Sequence, residues 1–466
     1  MSFFRKYIGD KAFYRMVLGI AVPIMLQNGV TSFVNMLDNL MVGSLGTEAM
    51  SGVSIVNQFI FVFNLLIFGA VSAAGIFTAQ YYGSKNTEGV RHTFRFKLLV
   101  NALAVLLGVG AFLLFGDDLI RLFLHQGDGE GDLALTFSYA KDYLVIMLIG
   151  FVPYALSQVY ASTMRETGEP VWPLIAGVVA VATNGALNAV FIFALGLGVK
   201  GAAIATVVSR FAEALLLMAW SHRHVDRCSY LKGAYTSLYI PRTLVKRIVL
   251  GGLPLMANEL LWSLAITVRS QCYSTRGLDV VAAMNISNTV YNVFSVIYLA
   301  MGSAIAIIIG NLLGAGKTEL AKETDCKLIA FSVFCGACTG VLILLVAPAF
   351  PLLYETSATV QSLATYLMVI QALVIPFDAF TNAAYFTIRS GGQILVTMLS
   401  DSVFMWVVVV PVCCLLAYLT PLSIFALFAI CHGCDCLKAL FGCVLLRRDT
   451  WARRLVSEDE NAQICQ

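Results

Sequence analysis

Charge is scarce in this chain: Asp, Glu, Lys and Arg make up 12% of its 466 residues, about half their share in a soluble globular protein. Hydrophobic residues fill 59%, so water is not the main solvent of the fold. No polar stretch rich in Pro, Gly or Ser divides the chain into the soluble domains its length would allow. Cysteine is missing until Cys228; most of the twelve cysteines fall in apolar segments, where a free thiol behaves as a small hydrophobe, so no disulfide framework is expected. The net charge of +3 is too small to suggest a nucleic-acid partner. A Walker-type loop, a zinc-helix motif and a large catalytic domain are also lacking. That argues against ATP drive, an enzyme with catalytic residues, and a resident metal or cofactor. Arg5, Lys6 and Lys11 imitate the start of a signal peptide. The apolar stretch after them is too long, carries Gln27, Asn28 and Asp38, and has no small-residue cleavage site, so it reads as an uncleaved span.

What the chain has is apolar runs of about 20 residues or more, recurring to its end. They fall near 15–42, 53–82, 98–115, 140–164, 173–195, 202–220, 248–271, 281–312, 328–346, 364–388, 394–418 and 422–446. The expected fold is an all-α integral membrane protein of about twelve transmembrane helices. Several runs approach 28 residues, about 42 Å of helix against a hydrocarbon core of about 30 Å, so those helices must tilt, bend or project. Placing the N-terminus and every even-numbered connection on one side collects about 24 of the 30 Lys and Arg residues there. The opposite side collects Asp117, Asp118, Asp128, Glu130, Asp132 and Glu355. Both termini are therefore expected to be cytoplasmic, in a multi-pass plasma or inner membrane protein.

The chain also repeats itself. An offset of 231 residues superposes Pro23 on Pro254, Gly46 on Gly277, Asn57 on Asn288, Ser72 on Ser303, Ala73 on Ala304 and Gly83 on Gly314. It falls to 223 for Tyr143 with Tyr366 and Pro153 with Pro376, then becomes 224 for Arg165 with Arg389 and Gly168 with Gly392, as small loop deletions would produce. Six spans per half return the chain to its starting side, so the halves are two parallel six-helix bundles. The expected organisation is an N-terminal lobe over 1–221, a cytoplasmic linker over 222–245 and a C-terminal lobe over 246–466. Two such lobes are expected to enclose a cleft and expose a midplane site to each side in turn.

Several short motifs, in order along the duplicated chain, resemble the multidrug and toxic compound extrusion (MATE) family of the prokaryotic type. They are Pro23, Asp38 and Val42-Gly43-Ser44-Leu45-Gly46; Ala79-Gln80-Tyr81-Tyr82-Gly83; Arg165-Glu166-Thr167-Gly168-Glu169-Pro170; Gly198-Val199-Lys200-Gly201-Ala202-Ala203-Ile204-Ala205-Thr206; Gly310-Asn311-Leu312-Leu313-Gly314-Ala315-Gly316; and Arg389-Ser390-Gly391-Gly392. The resemblance implies a secondary transporter that exports organic, often cationic, drugs or metabolites in exchange for sodium ions or protons.

An ionisable residue inside a span costs about 2.5–3.5 kcal/mol on insertion scales, so each needs a partner or a use. Asp38 in the first span is either an interfacial carboxylate or, as the resemblance implies, a cation-coupling one. Asn184 and Asn188, four residues apart, share a helix face and offer two amide oxygens. Such a pair can simply join helices; the resemblance instead places Asn184, Asn188 and Thr206 around a cation with Asp38. Some relatives carry Asp at the position of Asn188, which leaves sodium and proton coupling both open. In the second half, Glu259 and Asp378 are either buried structural acids or, as the resemblance implies, a second site for coupling cations or for the substrate's charge. Phe33, Met36, Asn57, Met256, Trp262, Asn288 and Tyr291 are candidate substrate contacts, since aromatic and Met surfaces suit varied apolar cations. Cys431, Cys434 and Cys436 imitate a metal cluster but lie within a span, and inert thiols are expected. The chain is expected to act as a monomer among membrane lipids. The competing reading is a flippase for a lipid-linked saccharide or other amphiphile, which calls for basic rather than acidic residues along the cleft.

Overall fold

The computed structural model describes residues 7–43, 45–123, 132–354 and 356–456; the side chains of residues 33–40, 43, 47 and 278 also lie outside the described set. Without water, backbone groups must be satisfied within the span itself, and the apolar runs accordingly fold as helices. Among the described residues, twelve are long and apolar enough to cross a membrane. They are α1 (Lys11–Gly43), α2 (Thr47–Gly83), α3 (Thr87–Phe123), α4 (Leu133–Glu166), α5 (Val171–Ala194), α6 (Gly198–Arg223), α7 (Arg242–Ser274), α8 (Leu278–Gly314), α9 (Thr318–Val346), α10 (Ala358–Ser390), α11 (Ile394–Leu419) and α12 (Ile424–Arg447). The described residues contain no strand. Two helices are composite: α5 widens to a π-helix over Ala189–Ala194, and α11 does so over Leu399–Val403 and Met405–Val409.

Local chemistry sets the ends. Asp132 caps α4 by accepting from the amides of Ala134 and Leu135 at 2.9 and 3.0 Å, and Ser357 caps α10 by accepting from Val360 at 3.3 Å. The turns before α2 and α8 pass through Gly46 (φ +111°) and Gly277 (φ +114°), a region closed to side-chain-bearing residues. Pro23, Pro153, Pro254 and Pro376 lie inside helices and match in pairs under the repeat.

The described residues fall into two compact units. Among the described residues, the N-unit draws on 26–78 and 86–252, and the C-unit on 7–25, 79–85 and 253–456. The changeover in α1 falls two residues after Pro23, and that in α7 just before Pro254. The start of α1 thus belongs to the C-unit, where Val17 and Ala21 pack with Met301, Ala304 and Ile305 of α8. The start of α7 belongs to the N-unit, where Gly252 lies against Ala73 of α2. These are equivalent contacts under the 231-residue offset.

In the N-unit, α4 packs against α3 and α6, and α5 against α6. Phe63 stacks on Phe151 with ring centroids 3.9 Å apart. Lys97, just outside the span expected over 98–115, is fully buried, its Nζ 2.5 Å from Glu166 Oε2 and 2.9 Å from Ser162 Oγ. The segment after α6 folds back onto α3. Arg95 donates to the carbonyls of Ala234 (2.8 Å), Gly233 (2.7 Å) and Tyr239 (3.2 Å), and Tyr230 packs on Phe94.

In the C-unit, α10 packs against α8, α9 and α12. The segment after α12 also folds back. Trp451 is buried, the Leu455 amide donates to Gln80 Oε1 at 2.7 Å, and Gln393 donates to the Thr450 carbonyl at 2.6 Å.

Candidate cation and substrate sites

The N-unit site is built on the last α-helical turn of α5. Asn184 and Asn188 are 4% and 1% exposed, a burial that amides tolerate only when hydrogen-bonded. Asn188 Nδ2 donates to Asn184 Oδ1 at 3.1 Å, and Asn184 Nδ2 donates to Thr206 Oγ1 of α6 at 3.2 Å. Thr206 in turn donates to the Ala202 carbonyl at 3.0 Å. The three residues expected to share one site are therefore one hydrogen-bonded chain. The π-helical segment begins at Ala189, directly after Asn188, where a widened turn redirects the remainder of α5. The side chains of Asp38, Phe33 and Met36 fall outside the described residues.

The C-unit holds both expected acids. Asp378 of α10 accepts from Tyr291 of α8 at 3.2 Å, and the Tyr291 hydroxyl lies 2.7 Å from that of Tyr298. Glu259 of α7 accepts from Tyr385 of α10 at 3.5 Å. Seven residues separate Asp378 and Tyr385, two helical turns, so they share one face of α10. Among the described residues, neither acid forms an ion pair. Each carboxyl is half-buried and its hydrogen-bond partner among the described residues is a phenol, an arrangement that is costly while the acid is charged.

Around them lies a polar network that sequence reading missed. Arg269 of α7 pairs with Asp435 of α12 at 2.7 Å, and Lys438 of α12 pairs with Asp401 of α11 at 2.9 Å. Asn258 donates to Asp401 at 3.2 Å and accepts from Ser402 at 2.7 Å. Asp401 and Ser402 sit within the first π-helical segment of α11. The available signal was charge inside predicted spans: Arg269, Asp401, Asp435 and Lys438 all qualified, but their partners lie 37 to 166 residues away.

The expected substrate contacts are spread between the units. Asn57 of the N-unit is half-buried. In the C-unit, Met256 is half-buried, Trp262 is 43% exposed, Tyr291 bonds Asp378, and Asn288 accepts from Gln371 at 3.3 Å. Cys431 is buried within the C-unit core, and the described residues contain no group of three metal-ligating side chains.

Known proteins share this plan. The MatE family model matches residues 23–190 and 254–415, one segment in each half, starting at Pro23 and Pro254. The chain is 25% identical over 414 residues to the probable multidrug resistance protein YoeA of Bacillus subtilis, covering 86% of this chain and 87% of that one. It is 23% identical to multidrug and toxin extrusion protein 1 of Xenopus tropicalis, over 94% of this chain and 74% of that one. Among solved structures, MATE in the bent conformation superposes with a TM-score of 0.85 at 19% identity, covering 97% of each chain. An outward-facing multidrug resistance MATE family transporter of the MOP superfamily superposes at 0.84 and 20% identity, over 93% of this chain and 96% of that one. With twelve membrane-crossing helices and a family match in both halves, the chain belongs to the MatE family, whose members are multi-pass membrane transporters and not enzymes.

Proposed function

We propose that this chain is a cation-coupled antiporter that exports organic, often cationic, amphiphilic compounds by alternating access between its two six-helix lobes. The observation that carries the reading is the polar chain Asn184–Asn188–Thr206, together with two carboxyls, Glu259 and Asp378, that lack ion pairs among the described residues. The names of its relatives, multidrug resistance and multidrug and toxin extrusion proteins, support the substrate class.

In this reading sodium or a proton binds at Asp38 with Asn184, Asn188 and Thr206, and at Glu259 or Asp378. Carboxylate, amide and hydroxyl oxygens suit a hard cation, and a carboxylate alone suffices for a proton. Cation binding favours one lobe arrangement and drug binding the other, and this exchange couples the two flows. The protein works as a monomer in the plasma or inner membrane, surrounded by lipid, with both termini cytoplasmic and its lobes joined through 222–245. A flippase is the weaker reading, because two of the basic groups inside the C-unit spans, Arg269 and Lys438, are already closed on Asp435 and Asp401.

The test is efflux of a panel of cationic dyes from proteoliposomes under separately imposed sodium and pH gradients. One gradient should drive efflux, and Asp38→Asn should abolish it. Indifference to both gradients overturns the antiporter reading.

A further inference from the structure

The C-unit contains a buried cation to which the antiporter cycle assigns no part. Arg389, in the last turn of α10, is 5% exposed, and its guanidinium lies over the rings of Phe386 and Tyr385, 5.4 and 5.9 Å from their centroids. Its Nη1 has no hydrogen-bond partner among the described residues. A guanidinium presents five N–H donors and stays charged at any physiological pH, so an open N–H in a buried place is costly.

The other half of the repeat shows the same position filled. Arg165, the equivalent of Arg389, donates from Nη1 to Gln27 Oε1 at 3.1 Å. The 231-residue offset carries Gln27 to Asn258, whose side chain is one methylene shorter and is already engaged by Asp401 and Ser402. Next to Asn258 stands Glu259, which accepts from the hydroxyl of Tyr385, the ring beneath Arg389. Four charged groups share this corner: Glu259 from α7, Arg389 from α10, Asp401 from α11 and Lys438 from α12. Lys438 and Asp401 are closed on each other at 2.9 Å. Glu259 and Arg389 carry opposite charges and lie within electrostatic reach, yet form no ion pair among the described residues.

We propose that Arg389 is the internal rival of the coupling cation at Glu259: when the cation leaves, the open Nη1 pairs with the carboxylate, and when it returns, the guanidinium withdraws to its aromatic rings. The proposal rests on the reading of Glu259 as a coupling carboxylate. It gives the emptied site a counter-charge, so that Glu259 is not left bare in a low dielectric. It also lowers cation affinity, because each binding event must displace an internal competitor. Arg389 acts through Glu259, as a positioning residue.

The test is equilibrium binding of radiolabelled sodium at fixed pH, and proton uptake at fixed sodium, on the full-length protein in lipid nanodiscs. Arg389→Gln should tighten the cation bound at Glu259 by at least about fivefold and slow efflux per molecule. Arg389→Lys should restore affinity toward the starting value. Glu259→Gln should lack that binding component, and the double variant should match it. Unchanged or weaker affinity in R389Q, with the component still lost in E259Q, overturns the role of Arg389 alone. Full binding and coupled efflux in E259Q overturn the reading of Glu259 and this proposal with it. If R389Q fails to fold, Asn258→Gln supplies the acceptor found at Gln27; it should hold Arg389 and tighten the site in the same direction, and unchanged affinity there counts against the proposal.

Discussion

Gly83 and Gly314 occupy equivalent places at the ends of α2 and α8, and each lies against the other's helix: a methyl group at Gly83 would collide with the Asn311 carbonyl, and one at Gly314 with the Gln80 carbonyl. Asn311 and Gln80 are themselves equivalents under the repeat. The contact is reciprocal, and backbone stands on both sides of it, so no flexible side chain can yield. Gly83→Ala and Gly314→Ala should each destabilise the protein by about 1–3 kcal/mol. A lowered melting temperature in detergent, read by light scattering or intrinsic fluorescence, checks this.

Lys85 tests the same symmetry from the opposite direction. It takes a φ of +61° at the position where the second half has Gly316, at +74°. Left-handed backbone costs a side-chain-bearing residue roughly 1–2 kcal/mol, part of which glycine returns through its freer unfolded chain. Lys85→Gly should leave stability unchanged or raise it by up to about 1 kcal/mol, while Gly316→Ala should lower it by a similar amount. Both are measured by the same melting experiment.

Lys97 and Glu166 form a pair whose side chains are 0% and 13% exposed. Removing one partner leaves a charge buried alone, and Lys97→Met should cost about 3 kcal/mol or more. The double variant Lys97→Met with Glu166→Gln should recover much of that loss. A double-mutant cycle on melting temperature reads the difference, and equal losses in the single and double variants would refute it.

In the N-unit chain of hydrogen bonds, Thr206→Val removes the hydroxyl that Asn184 donates to while keeping the shape. Losing one oxygen from the proposed cation site should weaken cation affinity about tenfold, and removing the acceptor of the buried Asn184 amide should lower stability by about 1–3 kcal/mol. Sodium-binding and proton-uptake titrations decide whether the residue contributes there.

Cys228 sits outside the spans, buried against the N-unit, and burial holds its thiol above the ordinary thiol range. The thiol therefore stays protonated and unreactive near pH 7.5, and reactivity should rise only as the pH climbs or the segment lifts away. Arg95→Ala removes the donors that hold Gly233, Ala234 and Tyr239, so it should speed maleimide labelling of Cys228 by about tenfold or more at neutral pH. Peptide mass spectrometry resolves labelling at Cys228 from that at the other cysteines.

The spans were legible because lipid demands long apolar helices, and the Asn184–Asn188 pair because an i, i+4 spacing is local. Helix ends were less so. The apolar run over 98–115 belongs to a helix that starts at Thr87, and the missing turns carry Arg91, Arg95 and Lys97, which a hydropathy window takes for loop. Those charges are helical because they find partners: Arg95 on the folded-back segment, Lys97 on Glu166. The C-unit network stayed hidden for a different reason. Arg269 and Asp435 meet across 166 residues, and no local pattern encodes that distance. The π-helical turns beside Asn188 and around Asp401 likewise have no composition of their own.

The two folded-back segments fasten differently: the one after α6 is held by Arg95 of α3, in its own half of the repeat, whereas the one after α12 reaches Gln80 of α2, in the other half. The segment after α12 thus ties the second copy to the first through hydrogen bonds as well as through the covalent linker.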